Sequence, residues 1–222
     1  MKLYSGPLSL FSRKVEIALR EKALPFDREM VPFTQERGYS PKHPAVLAAN
    51  PKGQVPVLID GGLTLFDSTV IFEYLEEAYP KPPLYPPGAK DRARCRLLEL
   101  TADEILLPPL RSLMTRTSPR DPDPERQRQR EADADRGEIQ LRDHYETLSR
   151  RLAGQDFFCG AFSVADIALF MTILWVQRLK GPKLDGHPKL AAWYERVKSR
   201  PSARQAADEI AAADRELSPP IP

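Results

Sequence analysis

QVPVLIDGGLTLFDSTVIFEYLEE, residues 54 to 77, is the stretch that decides the fold. VPVLID, from Val55 to Asp60, is an apolar, β-branched run of strand character, and Gly61-Gly62 makes a tight turn. Leu63 to Phe66 pairs back as the second arm of a hairpin. Asp67-Ser68 then opens a helix whose apolar positions are Val70, Ile71, Tyr74 and Leu75. Pro56, just ahead of a buried strand, needs a reason: it cannot donate to the ladder and is tolerated only at a strand start or edge. A trans Val55-Pro56 bond makes it a plain strand start. A cis bond makes a sharp turn that leaves the N–H and C=O of Val55 exposed, able to pair with a short peptide as an added strand does. Asp67 and Ser68 also carry two readings. They are ordinary helix caps, and they form a corner that can hold a carboxylate and an ammonium.

Upstream, Lys2 to Tyr4 reads as an opening strand. Val15, Ala18, Leu19 and Ala23 recur at helical spacing, which predicts a helix from Leu10 to Lys22. Phe26, Met30 and Val31 suggest a second strand, and Pro41 to Ala49 holds a short helix. The order is β-α-β-α-β-β-α, a compact α/β sandwich over residues 1–79. Three serines, Ser5, Ser9 and Ser12, lie between the first strand and the first helix; each is a candidate for chemistry or for capping.

Downstream, YPKPPLYPPG at residues 79 to 88 holds five prolines and one glycine. Proline ends helices and restricts the residue before it, so residues 80–89 form a linker. Residues 90–222 show no long strand signal and read as an all-α domain. Leu97, Leu98, Thr101, Ile105 and Leu106 have helical spacing. SPRDPDP at 118–124 is a break, followed by a helix from Glu125 to Leu152 with Leu141, Tyr145, Leu148 and Leu152 as its core stripe. Ser163 with Asp166 resembles a capping box opening an apolar helix to Leu179. A further helix runs from Lys189 to Lys198 with Leu190, Trp193 and Val197 inward.

Bulk composition excludes several classes. With 41% hydrophobic and 29% charged residues, the 222-residue chain suits a globular protein with a real core. A net charge of +2 demands no polyanion. No apolar run approaches the roughly 20 residues of a membrane helix, and MKLYSGPLSLF lacks the h-region of a signal peptide, so a cytoplasmic location without membrane contact is the expectation. Cys95 and Cys159 are far apart and outside any CxxC pair; they read as small buried hydrophobes rather than a disulfide framework or zinc site. His43, His144 and His187 show no metal spacing, so no metal is expected. Ten arginines between Arg111 and Arg151 are matched by nine acidic residues, with Glu138–Arg142 and Glu146–Arg150 at supportive i, i+4 spacing. That is a solvated helix face and not a nucleic-acid footprint.

SLFSRKVEIAL, NPKGQVPVLIDGG, LFDSTVIFEYLEE, FSVADIAL and HPKLAAWYERVKSRPS, taken together and in this order, resemble the cytosolic glutathione transferase superfamily over nearly the whole chain, in its bacterial serine-type form. The resemblance implies a thioredoxin-like first domain and an all-helical second one. It implies that Pro56 is cis, that Val55 offers its backbone to the cysteinyl unit of glutathione, and that Asp67 and Ser68 hold the γ-glutamyl group. Most relatives have Glu where this chain has Asp67, one methylene longer. Gln54 falls where relatives contact glutathione, and Lys42, or else His43, would meet the glycyl carboxylate. SLFSRKV matches the pattern that places a catalytic serine before the first helix, with Leu10 in place of the usual proline, which points to Ser9; Tyr4 and Ser12 remain alternatives. Where some classes carry a cysteine, Ser9 cannot form a mixed disulfide. The isomerase class shows Ser-Ser-Cys there and this chain Ser-Leu-Phe, so conjugation, or peroxide reduction with glutathione as co-substrate, is expected over thiol exchange and maleylacetoacetate isomerisation. A small hydrophobic electrophile would meet Leu10, Leu110, Arg111 and Met114 between the domains. The resemblance further implies a homodimer and a detoxification role. The other reading is a non-enzymatic scaffold of the same fold that binds a protein partner.

Overall fold

The hairpin forms as β3 (Val57–Asp60) and β4 (Leu63–Phe66), and Gly61 closes its turn at φ 57°. The computed structural model describes residues 1–221. β1 (Lys2–Ser5) pairs antiparallel with β3, and β2 (Asp27–Met30) pairs parallel with β1, giving the order β2-β1-β3-β4. The parallel pair requires a crossover, which is α1 (Leu10–Glu21). α2 (Pro44–Ala49) and α3 (Ser68–Ala78) complete a thioredoxin-like β-α-β-α-β-β-α unit. β2 forms where Phe26, Met30 and Val31 suggest a second strand, though it is not an apolar one. Its sequence is Asp-Arg-Glu-Met, Met30 is exposed, and only Val31, just beyond the strand, is in the core. β2 is an edge, and charged side chains suit an edge because they discourage further pairing.

α1 buries charge as well as its predicted apolar face. Arg13, Lys14 and Glu16 are buried alongside Val15, Ile17, Ala18 and Leu19. A buried charge must be paired. Glu16 accepts from Arg13 at 2.9 Å, Arg28 at 2.8 Å, Arg20 at 3.2 Å and the Ser5 hydroxyl at 2.6 Å. Glu209 accepts from Arg13 and Arg28 as well. Glu209 lies on α9 (Pro201–Leu217), which packs on α1 through Ala203, Ala206, Ala207 and Ile210. The compact unit is therefore residues 1–84 with 201–217, and its last helix lies within the span that the sequence reading assigned to the helical domain, 90–222.

The proline-rich linker is fastened at its start. Proline loses its donor but keeps its carbonyl. The buried Lys22 ammonium donates to Glu76 at 2.8 Å, to the Tyr79 carbonyl at 2.8 Å and to the Pro82 carbonyl at 2.9 Å. The Leu84 N–H closes the set by donating to Glu76 at 3.0 Å.

The second unit spans Tyr85–Arg200 with residues 218–221. It contains α4 (Ala89–Leu100), a π-helical segment Thr101–Ile105, α5 (Leu107–Leu113), a 3₁₀ turn Met114–Arg116, α6 (Pro124–Leu152), α7 (Val164–Arg178) and α8 (Pro188–Lys198). The stripe on α6 is buried as predicted: Leu141, Tyr145, Leu148 and Leu152. Of the residues read at helical spacing from Leu97 to Leu106, all but Leu106, which directly follows the π segment, are helical, and Leu98 and Leu106 are buried. Leu97, Leu100 and Ile105 are exposed, while Cys95, Leu98, Ala102 and Leu106 are buried. The π segment inserts a residue into the turn and shifts the phase of the buried face. On α6, Glu146 pairs with Arg150 as its spacing predicts, at 3.8 Å, but Glu138 reaches Arg116 instead of Arg142. The capping box at α7 forms, and its carboxylate does more than cap. Asp166 accepts from Ser163 N–H and Oγ–H, from Phe158 N–H at 3.1 Å and from Trp193 Nε1–H at 2.8 Å. Burial pushes its carboxyl up and these four bonds oppose that. Among the described residues no helix is long and apolar enough to cross a membrane.

Candidate functional site

Register brings three distant sequence motifs to one end of the first unit's sheet. Tyr4 faces Val57, and Val57 faces Phe66. β1 leaves the sheet at that end toward Ser9, β3 enters it there from Val55-Pro56, and β4 leaves it there into Asp67-Ser68. The Val55-Pro56 bond is cis, and pairing on β3 begins at Val57, so the ladder does not occupy Val55. Val55, Tyr39 and Phe66 pack against a core of Tyr4, Val31, Val46 and Val57, which seats α2 beneath the same end.

The three serines separate into distinct roles. Ser5 is buried and donates to Glu16 at 2.6 Å. Ser9 caps α1, accepting from the Ser12 N–H at 3.2 Å, and is 8% exposed. Ser12 is fully buried, and its hydroxyl donates to the Ser9 oxygen at 2.9 Å. A hydroxyl has two acceptor positions and one donor. Both acceptor positions of Ser9 are filled from Ser12, so its own proton is the group left to bond elsewhere. The sequence reading kept Ser12 as an alternative to Ser9. The signal for its actual role was the Ser-x-x-Ser spacing, which puts the third helical residue against the cap. Tyr4, the other alternative, is buried, with its ring 5.3 Å from that of His43 and Lys2 over its face. Gly6 sits where a Cβ would lie 2.2 Å from the Tyr39 hydroxyl, so only glycine lets that ring close over the β1–α1 turn.

Asp67 caps α3, accepting from Thr69 N–H at 3.0 Å and Val70 N–H at 3.4 Å. Its φ is 76°, a backbone state that costs a residue with a Cβ about 1–3 kcal/mol and recurs at functional sites. Ser68, the first residue of that helix, is buried. Gln54 is exposed, and its carbonyl accepts from Asn50 at 2.7 Å. Lys42 and His43 now differ. His43 bonds Glu29 at 3.0 Å and lies against Tyr4. Lys42 is exposed, and its stem runs along Gly53, one residue from Gln54.

The four expected electrophile residues divide between the two units. Leu10 belongs to the first unit and is buried. Leu110, Arg111 and Met114 belong to the second; Leu110 is fully buried, Arg111 exposed and Met114 half-buried. Among the described residues no group of three or more His, Cys, Asp or Glu is placed to hold a metal ion.

A thioredoxin-like sheet with a capped serine turn, a cis-proline and an acidic helix cap at one end, followed by a helical domain, defines a class of protein. Comparison with known proteins gives the family. Residues 3–83 match the N-terminal domain of glutathione S-transferases, and residues 131–196 match their C-terminal domain. A glutathione S-transferase from Rhodospirillum rubrum has the same fold at a TM-score of 0.77, with 31% identity over 92% of this chain and 90% of that one. The chain belongs to the glutathione S-transferase family. A Stringent starvation protein A homolog from Coxiella burnetii is 43% identical over 100 residues, covering 44% of each chain. A maleylacetoacetate isomerase from Pseudomonas aeruginosa is 43% identical over 97 residues, covering 43% of this chain and 45% of its own. The matches to these curated relatives thus span less than half of their length.

Proposed function

We propose that this chain is a glutathione transferase that lays glutathione across the β1–β3–β4 end of the first sheet and uses the Ser9 hydroxyl to hold its sulfur as a thiolate. The observation that supports this reading is the register of Tyr4 with Val57 and of Val57 with Phe66, by which the segments holding Ser9, Val55-Pro56 and Asp67-Ser68 adjoin the same end of the sheet. Val55 pairs with the cysteinyl backbone. Asp67, Ser68 and the start of α3 take the γ-glutamyl end, and Lys42 and Gln54 the glycyl end. A free thiol titrates near pKa 8.5, so it is mostly protonated at neutral pH. A hydrogen bond to the sulfur favours the charged form, and the N-terminus of α1 adds positive potential. Each unit of lowering corresponds to about 1.4 kcal/mol.

Ser9 acts as donor and the thiolate as nucleophile. The thiolate attacks an electrophilic carbon and expels its leaving group, or attacks a hydroperoxide oxygen, breaking the O–O bond so that the alcohol leaves after taking a proton, and the resulting glutathione sulfenic acid is reduced by a second glutathione to the disulfide and water. Of the residues proposed for the electrophile side, Arg111 and Met114 retain surface, while Leu10 and Leu110 are core. The protein works as a cytoplasmic homodimer. Calorimetric titration with glutathione tests the site itself. Binding in the wild type that weakens about tenfold in Asp67→Ala, as expected for losing a charge-assisted contact, supports it; equal affinity in both removes Asp67 from the site.

The second reading is a partner-binding scaffold of the same fold. The likeness to a Stringent starvation protein A homolog, whose name declares no transferase, is the observation that favours it. No glutathione binding at millimolar ligand would select it.

A further inference from the structure

One aromatic ring lies on the turn that presents Ser9. A Cβ added to Gly6 would meet the Tyr39 Oη at 2.2 Å and the Cε1 and Cζ of the same ring at 2.6 Å. The edge of the phenol therefore rests on the bare Cα of Gly6. Gly6 and Ser9 are the two ends of a tight turn, because the Ser9 N–H donates to the Gly6 carbonyl at 3.3 Å. Ser9 is thus caught between two anchors. Its oxygen is held by Ser12, and its N–H is held by Gly6. A shift of Gly6 turns the residue about its oxygen and re-aims its one hydroxyl proton.

Tyr39 comes from a strap, residues 32–43, that joins β2 to α2. The strap is folded on itself. Thr34 and Gly38 exchange both backbone hydrogen bonds, at 3.1 and 2.7 Å, and the Arg37 N–H donates to the Thr34 hydroxyl at 3.1 Å. Gly38 takes φ 58°, which lets the chain double back there. The Phe33 ring meets the Tyr39 ring with centroids 4.8 Å apart, and Tyr39 packs on the core of Tyr4, Val31, Val46 and Val57. The ring on Gly6 is therefore fixed by its own strap, by Phe33 and by the core.

We propose that Tyr39 is a positioning residue for Ser9: its ring, clamped by the closed 34–38 loop, holds Gly6 and through it sets where the Ser9 hydroxyl points. The inference rests on the glutathione reading for the chemistry that Ser9 serves, and adds a residue that acts through the turn. A hydrogen bond to sulfur is directional, and a displacement of about 1 Å in the backbone behind it is enough to lose most of its effect.

The test follows the ultraviolet thiolate absorbance of bound glutathione against pH in the wild type, Tyr39→Ala, Tyr39→Phe, Gly6→Ala and the double variant Gly6→Ala/Tyr39→Ala. Tyr39→Ala should raise the apparent thiol pKa by about one unit, a tenfold loss in the thiolate-to-thiol ratio, with affinity within about threefold of wild type. Tyr39→Phe keeps Cε1 and Cζ on Gly6 and should stay within about 0.3 units. Gly6→Ala pushes the ring away and should raise the pKa as Tyr39→Ala does, but should add little in the chain that already lacks the ring. Amide hydrogen exchange of the free protein needs no ligand: the Ser9 N–H should exchange about tenfold faster in Tyr39→Ala and at the wild-type rate in Tyr39→Phe. A thiol pKa or a Ser9 exchange rate unchanged in Tyr39→Ala overturns this inference and leaves the glutathione reading standing. So does a Gly6→Ala effect undiminished in the double variant. No thiolate signal in the wild type overturns the glutathione reading, and the role of Tyr39 with it.

Discussion

Asp166 offers the clearest quantitative prediction. Its carboxylate is fully buried and accepts four hydrogen bonds, two on each oxygen: Phe158 N–H and Trp193 Nε1–H on Oδ1, Ser163 N–H and Oγ–H on Oδ2. Asp166→Asn preserves the shape and one acceptor oxygen, so Phe158 and Trp193 keep their bonds. Its amide then faces the Ser163 donors. The hydroxyl can turn to accept, but the Ser163 N–H cannot, and one buried donor is left unmet at about 1–3 kcal/mol. Asp166→Ala strands three donors that cannot turn away, from Phe158, Ser163 and Trp193, at about 4 kcal/mol or more in total. That is a large share of the about 5–15 kcal/mol a domain has. The assay is urea unfolding followed by tryptophan fluorescence. The chain has two tryptophans, Trp175 on α7 and Trp193 on α8, so the signal reports the second unit. The expected order of stability is wild type, then Asn, then Ala, with Asn separated from wild type by about a third of the Ala loss. An alanine variant within about 1 kcal/mol of wild type would refute the claim that this carboxylate organises the helical unit.

Further outcomes follow from other parts of the fold. Gly137→Ala on α6 places a Cβ 2.6 Å from the Pro109 carbonyl and 2.2 Å from the Ser112 hydroxyl, and should cost about 1–3 kcal/mol by thermal unfolding, whereas alanine at the open Gly186 should not act by clash. Burial pushes the Glu209 carboxyl up, but hydrogen bonds from Arg28, Gln205 and Arg13 outweigh it and hold it below the usual range. Its contribution to stability is therefore present at neutral pH and lost as pH falls through the glutamate range into its lowered folded value; Glu209→Gln should flatten that acid limb in a series of melting temperatures. Ser12→Ala should raise the pKa of bound glutathione while leaving its affinity within about twofold, and Ser12→Thr should restore it; an unchanged pKa removes Ser12 as the group that orients Ser9.

Much of the first unit is legible because each element carries its own period and its own punctuation. Val57 to Phe66 is two apolar runs split by two glycines, and α1 begins at the residue after the Ser9 cap. What linear reading misses is which element a segment folds back on. α9 buries small residues, Ala203, Ala206 and Ala207, whose pattern says helix but not that its partner is α1. The buried charges of α1 are likewise hidden, because Arg13 and Glu16 look like surface residues until Glu209 and Arg28 close around them. The leucines near position 100 mislead because one inserted residue in the π segment rotates the core face onto Ala102 and Leu106. At the candidate site, residue types and order were legible. Their convergence depended on strand register, which is not local.

The proposed chemistry rests on the sulfur of bound glutathione being a thiolate under the Ser9 hydroxyl. Its ultraviolet thiolate absorbance should be followed against pH in the wild type and in Ser9→Ala. The account predicts a saturable signal with an apparent pKa about one to two units below that of the free thiol, returning toward the free value in Ser9→Ala without loss of binding. Saturable binding with the same apparent pKa in both proteins would contradict it.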